Sequence, residues 1–231
     1  MVVIRNNLAS LYQSQDRKAE ITPQLPTFKT PQDVSAFPQT YYLQPRPELV
    51  ANLIEAMPMS GFFKKATTSP GLIGFFSEVF IANPARFPDW QALIEKQDEE
   101  TKAALQHAVA FSKTGGIIAI EGHSGRINDL YWGAFFASGN PAYVKKLVDQ
   151  LRYWDERNDF SLFLAGATAK WSLASNAQSH VLVRSTLEAA KLNSDERTQE
   201  LIAELLARDP VRIQQDSHDI VRRQREAGKW R

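Results

Sequence analysis

The stretch best equipped for chemistry runs from Thr114 to Arg126, Thr-Gly-Gly-Ile-Ile-Ala-Ile-Glu-Gly-His-Ser-Gly-Arg. A β-branched run, then Gly122-His123-Ser124-Gly125, then a helical pattern has the order of the nucleophile elbow of α/β-hydrolases, where a tight turn exposes a reactive serine hydroxyl. The match is incomplete. Arg126 stands where the second glycine of Gly-x-Ser-x-Gly belongs, and no other part of the chain reads convincingly as a strand. A lone strand would leave its backbone N–H and C=O groups unpaired. The segment is therefore expected to be a glycine-hinged loop between two helices, of the kind that carries binding residues. Hydrolase or transferase chemistry on this 114–126 loop, with His123 and Ser124 within hydrogen-bond reach of an acid in a concave pocket, is the alternative expectation.

Other reactive side chains form no pattern. The chain has no Cys, which removes disulfides, thiolate nucleophiles and Cys-ligated zinc or iron–sulfur centres. His107, His123, His180 and His218 are scattered, with no pair at the spacing that puts two ligands on one helix face, so no metal site and no catalytic set is assigned. His180 is expected to hydrogen-bond at a helix end. The glycines fit neither the P-loop nor the dinucleotide fingerprint, and no cofactor is expected. Asp98-Glu99-Glu100 reads as acidic complementation of a helix N-terminus. Glu55 and Glu78 come nearest to carboxylates among apolar neighbours, and both are expected to face solvent or a cation. Arg152-Tyr153-Trp154-Asp155-Glu156-Arg157 combines aromatic and arginine side chains, the types that dominate interface energetics. Trp154, Tyr153, Arg152 and Arg157 are the expected partner-binding residues, with His123, Ser124 and Arg126 beside them.

The bulk properties restrict the class of partner. Twenty-seven basic and 26 acidic residues give a formal charge of +1 over 231 residues. A protein that neutralises many phosphates shows a basic excess, so nucleic acid is not expected. Arg222, Arg223, Arg225, Lys229 and Arg231 form the sole local exception and suit the C-terminal dipole of a last helix. No run of about 20 apolar residues spans a bilayer. The start, Met-Val-Val-Ile-Arg-Asn-Asn, lacks the apolar core of a signal peptide. The default compartment is the cytoplasm, or the periplasm if a signal has been removed.

The elements that must position these residues are helices. Apolar residues recur at helical spacing from Leu49 onward: Leu49, Val50, Leu53, Ile54 and Met57, then Leu72 to Phe80, and later Val144, Leu147, Val148 and Leu151. Residues 127–138 and 160–175 are apolar on nearly every side and are expected to be central helices. Ser69-Pro70, Asn83-Pro84, Asn140-Pro141 and Asp209-Pro210 each place a capping side chain before a proline at a first helical position, and Asn193 with Glu196 reads as a weaker capping box. Short loops make neighbouring helices antiparallel. Setting Asn83 on Asn140 aligns the core positions of the flanking helices, the pattern of a divergent helix–turn–helix repeat. The expected fold is all-α: stacked antiparallel helical hairpins over residues 47–231, α-solenoid-like in the manner of TPR or HEAT repeats. Residues 1–46, with spaced prolines and no glycine, are expected to form an extended arm, opened by a short helix around Leu8, Leu11 and Tyr12.

Tyr131-Trp-Gly-Ala-Phe-Phe-Ala-Ser-Gly139 and Ala169-Lys-Trp-Ser-Leu-Ala-Ser-Asn-Ala177 resemble a group of uncharacterised bacterial helical proteins. The resemblance covers most of residues 45–192. It implies a helical fold and a bacterial source, and brings no activity or catalytic residue with it. A non-enzymatic interaction protein is the leading expectation, an adaptor, assembly factor or immunity-type protein that binds a protein partner on a helical surface.

Overall fold

The computed structural model describes residues 28–64 and 69–230, and all regular structure in them is helical. The expected helix around Leu8, Leu11 and Tyr12, and Arg231 of the basic end, lie outside the described residues. Eleven α-helices follow in order: α1 (Pro31–Thr40), α2 (Val50–Ser60), α3 (Ser69–Ala82), α4 (Phe87–Ile94), α5 (Glu99–Lys113), α6 (Gly125–Ser138), α7 (Pro141–Gln150), α8 (Phe160–Ser179), α9 (Val181–Lys191), α10 (Glu196–Ala207) and α11 (Pro210–Glu226).

The extended arm is the main correction among the described residues. Residues 31–40 are helical because Pro31 occupies the first turn, where its missing N–H is no loss. Thr30 and Asp33 also close a capping box, Asp33 N donating to Thr30 Oγ1 at 3.2 Å and Thr30 N to the Asp33 carboxylate at 2.8 Å. Val34 of this helix is fully buried and Tyr41 nearly so. The Tyr41 ring meets Phe75 edge-on at 5.2 Å, so the segment packs on its own chain. Burial pushes the Tyr41 hydroxyl up to about 12.

Caps explain most helix starts. Asn140 and Asp209 accept from Ala142 N and Val211 N, each before a proline. Asp98 and Asp159 cap α5 and α8. Two expected starts shift. Asn83 caps nothing; its amide donates back to Val79 O at 2.8 Å, a turn follows, and α4 begins at Phe87 with proline in its first turn. Asp195, not Asn193, caps α10 by accepting from Thr198 N. The two aligned hairpins therefore turn differently.

The apolar side chains fall into two clusters. One is built on α1–α5 around Phe75, Phe76, Trp90 and Leu105, the other on α6–α11 around Phe135, Leu147, Phe163 and Ile202. The crossing of α3 and α6 joins them. A Cβ on Gly133 would lie 1.8 Å from Gly71 O, and one on Gly74 would lie 2.2 Å from Leu130 O. The two backbones touch, which no larger side chain permits. Segments 127–138 and 160–175 fall within α6 and α8, whose many buried residues match their all-round apolarity.

Candidate functional site

Residues 114–124 form a loop with one turn of 3-10 helix at Ile117–Ala119 and no strand, and Gly125 and Arg126 open α6. Glu78 pins the loop from α3: Ile117 N donates to the carboxylate at 3.2 Å. Gly116, at φ +90°, passes so close that a Cβ would meet Glu78 Oε1 at 2.5 Å. Burial, together with the Glu78 carboxylate bonded to it, pushes the Tyr143 hydroxyl far above its ordinary value. Glu78 thus points inward, against the expectation of a solvent-facing acid, whereas Glu55 is exposed as expected.

Farther along the loop, Ser124 is the N-cap of α6, its Oγ accepting from Ile127 N at 3.2 Å. His123 Nδ1 pairs with Gln150 Oε1 at 3.2 Å, and its ring lies 4.8 Å from that of Tyr153. Arg152 reaches over the same Tyr153 ring at 5.9 Å. The fold therefore brings two of the seven sequence-selected residues, His123 and Arg152, to a polar cleft of about 230 Å³, with Tyr153 packed against both. Glu121, Tyr131, Lys146, Asp149 and Gln150 also line it. Arg126 is exposed on the first turn of α6.

Trp154 and Arg157 lie elsewhere. Trp154, expected as an exposed anchor, is 6% exposed. Its ring packs at 5.8 Å from Phe163, with the Lys170 ammonium 3.9 Å above it. Its backbone presses on Gly166, where a Cβ would come within 2.5 Å of Trp154 N. Arg157 folds back, donating to the carbonyls of Trp154 and Glu156 and covering the Phe163 ring at 5.3 Å. Trp154 is held inside and Arg157 half-buried because the 151–157 turn is pressed onto α8.

The exposed indole belongs to α8 instead. Trp171 is 37% and Leu164 36% exposed. With Ala167 and Thr168 they form an i, i+3, i+4, i+7 stripe facing Gln214, Ser217, His218 and Val221 of α11 across an open groove of about 180 Å³ lined mainly by apolar atoms. Trp171 does not stand out in the sequence because an all-apolar helix reads as buried everywhere. The i, i+7 placement of Leu164 and Trp171 was visible, but which arc of α8 its neighbours leave open was not.

His180 closes the other end of α8. It sits at the α8–α9 junction, its backbone N–H donating to Asn176 O, as expected of a helix end. Its Nδ1 is hydrogen-bonded with the Tyr42 hydroxyl at 3.0 Å, and burial lowers its pKa below the ordinary value.

Among the described residues, no group of three or more His, Asp or Glu side chains is placed to hold a metal ion, and no helix is long and apolar enough to cross a membrane. At the C-terminal end, Arg222 pairs with Asp219 at 2.9 Å and Arg225 lies over Phe160 at 5.7 Å. No protein-family model, curated protein or solved structure matches the chain.

Proposed function

We propose that the chain is a non-enzymatic interaction module that binds a protein partner on its helical surface, in the manner of an adaptor, assembly factor or immunity-type protein. Stacked hairpins, α-solenoid-like, would present such a surface as an open groove. The observation that carries this reading is the α8–α11 groove. An exposed tryptophan and leucine on one helix face a second helix across an apolar floor, the arrangement into which an amphipathic helix lays its i, i+3, i+4, i+7 anchors. Trp171 replaces Trp154 as the anchor residue. A central tryptophan that fills a partner's pocket contributes about 2 kcal/mol or more, roughly thirtyfold in affinity.

The test is affinity capture from the source lysate with the wild-type chain and with Trp171→Ala in parallel, followed by a titration of whatever co-purifies. Expected is one stoichiometric partner bound at least about tenfold more weakly by the variant, with the helical melt little changed. A partner held equally by both proteins removes the groove from the interface.

The hydrolase or transferase reading retains one favourable observation, the polar cleft that brings His123 beside Asp149, Glu121 and Lys146. In that reading His123 acts without Ser124, whose hydroxyl is engaged as a helix cap. A turnover screen in which His123→Ala abolishes an activity of the wild-type chain would establish it.

A further inference from the structure

At the seam between the two apolar clusters lies a cleft of about 260 Å³, at the small end of ligand pockets. Helix α1 supplies Pro38 and Gln39, the turn after α2 supplies Phe62, and α3 supplies Gly71 and Leu72. The inner wall is one face of α6, Asp129, Trp132, Gly133 and Phe136 at i, i+3, i+4 and i+7. The Gly71–Gly133 contact leaves the floor without side chains. Trp132 and Phe136 are stacked, centroids 5.6 Å apart and planes 23° apart. The indole N–H, donating to Ser172 Oγ at 2.8 Å, fixes the pair in place.

The carboxylate of Asp129 sits in this apolar wall, and no donor among the described residues hydrogen-bonds to it. The charge acting on it is that of Arg126, one turn earlier on its own helix. Among the residues lining the cleft from α1, α3 and the turn, none is titratable. Burial raises the Asp129 carboxyl to about 6, against the opposing pull of Arg126. At neutral pH it is an ionised group, partly desolvated and without a bonded counter-charge among the described residues. That state is costly in an apolar site.

The chemistry of the wall excludes most occupants. An anion meets a like charge. A divalent cation needs several oxygen ligands, and beside the one carboxylate the lining offers only the Gln39 side chain and the Ser35 hydroxyl, which donates to Gln32 O. A neutral apolar molecule would strip water from Asp129 and return nothing. An organic cation compensates the carboxylate and lies against the aromatic edge and face, where cation–π attraction adds to it. We infer that the Asp129 cleft is a binding site for a small organic cation, an alkyl- or arylammonium group carried on an apolar body. Site and ligand are independent of the α8–α11 groove, and either holds if the other fails.

The probe is benzyltrimethylammonium, with neopentylbenzene as its neutral isostere, titrated calorimetrically into the full chain at about pH 7.5 and about pH 5. Expected is saturable binding of the cation at the higher pH and at least about tenfold weaker binding when Asp129 is protonated or replaced in Asp129→Asn, which keeps the shape of the side chain. The variant loses the pH dependence. Phe136→Leu, which leaves the carboxylate in place, weakens binding severalfold at both pH values and supplies the test if Asp129→Asn does not fold. Equal binding of the isostere, undiminished binding to Asp129→Asn, or no saturable binding of the cation to the wild-type chain overturns the inference.

Discussion

Lys170 is the charge buried most deeply among the described residues, 1% exposed in the middle of α8. Its ammonium lies between the Trp154 ring, at 3.9 Å, and Glu204 of α10, at 2.6 Å. Glu204 also holds Arg208, which in turn pairs with Asp216 at 2.7 Å. Burial pulls the Lys170 pKa down, and the bond to Glu204 opposes it in part. Burial likewise raises Glu204, but its two cations outweigh that and keep its carboxyl below the ordinary value. The two ends of the pair are unequal, since Glu204 is bonded to a second cation and has partial solvent access, whereas Lys170 is bonded to one carboxylate and is almost fully buried. Glu204→Ala leaves an uncompensated buried ammonium and is expected to cost about 3 kcal/mol, whereas Lys170→Met, which keeps contact with the Trp154 ring, is expected to stay within about 1 kcal/mol of wild type. Urea unfolding of both variants measures the difference, and equal costs would show that the pair acts symmetrically.

At the scale of elements, the α3–α6 crossing carries the most steric constraint. Gly133→Ala drives a methyl into the Gly71 carbonyl, at 1.8 Å in the unrelaxed geometry. Backbone cannot swing aside as a side-chain end can, so the helices must separate and Leu130, Phe75 and Trp132 lose their packing. Overpacking of this kind is expected to cost about 3 kcal/mol or more. A thermal melt measures it, and a loss under about 1 kcal/mol would mean that the crossing relaxes freely. Gly71→Ala is the contrasting case at the same crossing. Its Cβ would meet nothing closer than Asp129 O at 3.6 Å, an ordinary contact, so its cost is expected to be small.

For the molecule as a whole, the Tyr42–His180 hydrogen bond ties the segment after α1 to the far end of α8, with Phe135 and Phe136 packed around the imidazole. The pKa of His180 is lowered in the fold by burial, so the unfolded chain takes up a proton first on acidification. The contribution of the neutral ring is complete above the ordinary histidine value of 6.5. It is lost as pH falls through the folded value. Chemical denaturation at neutral pH and at about pH 5 is expected to show a stability loss that His180→Gln diminishes, and hydrogen exchange is expected to quicken in residues 28–46 on acidification. A stability difference that the variant leaves intact would assign the acid sensitivity to other groups.

Helical spacing, proline placement and capping side chains act over a few residues, and so the sequence by itself determined the helical class, the starts at Asn140, Asp209 and Asp98, and the central place of 127–138 and 160–175. The same local chemistry was present at Thr30-Pro31 with Asp33, but counting prolines over the whole arm obscured that a capped proline starts a helix. Asp129, with Trp132 at i+3 and Phe136 at i+7 in an otherwise apolar segment, carries the same local signal as Glu78. Tertiary structure decided the rest. Whether Trp154 or Trp171 faces solvent depends on which arc of α8 the 151–157 turn and α11 cover, and whether Glu78 turns inward depends on a loop brought to it from Gly116. Exposure and pairing of that kind are set by chain segments far apart in sequence, and no local periodicity records which of them will meet.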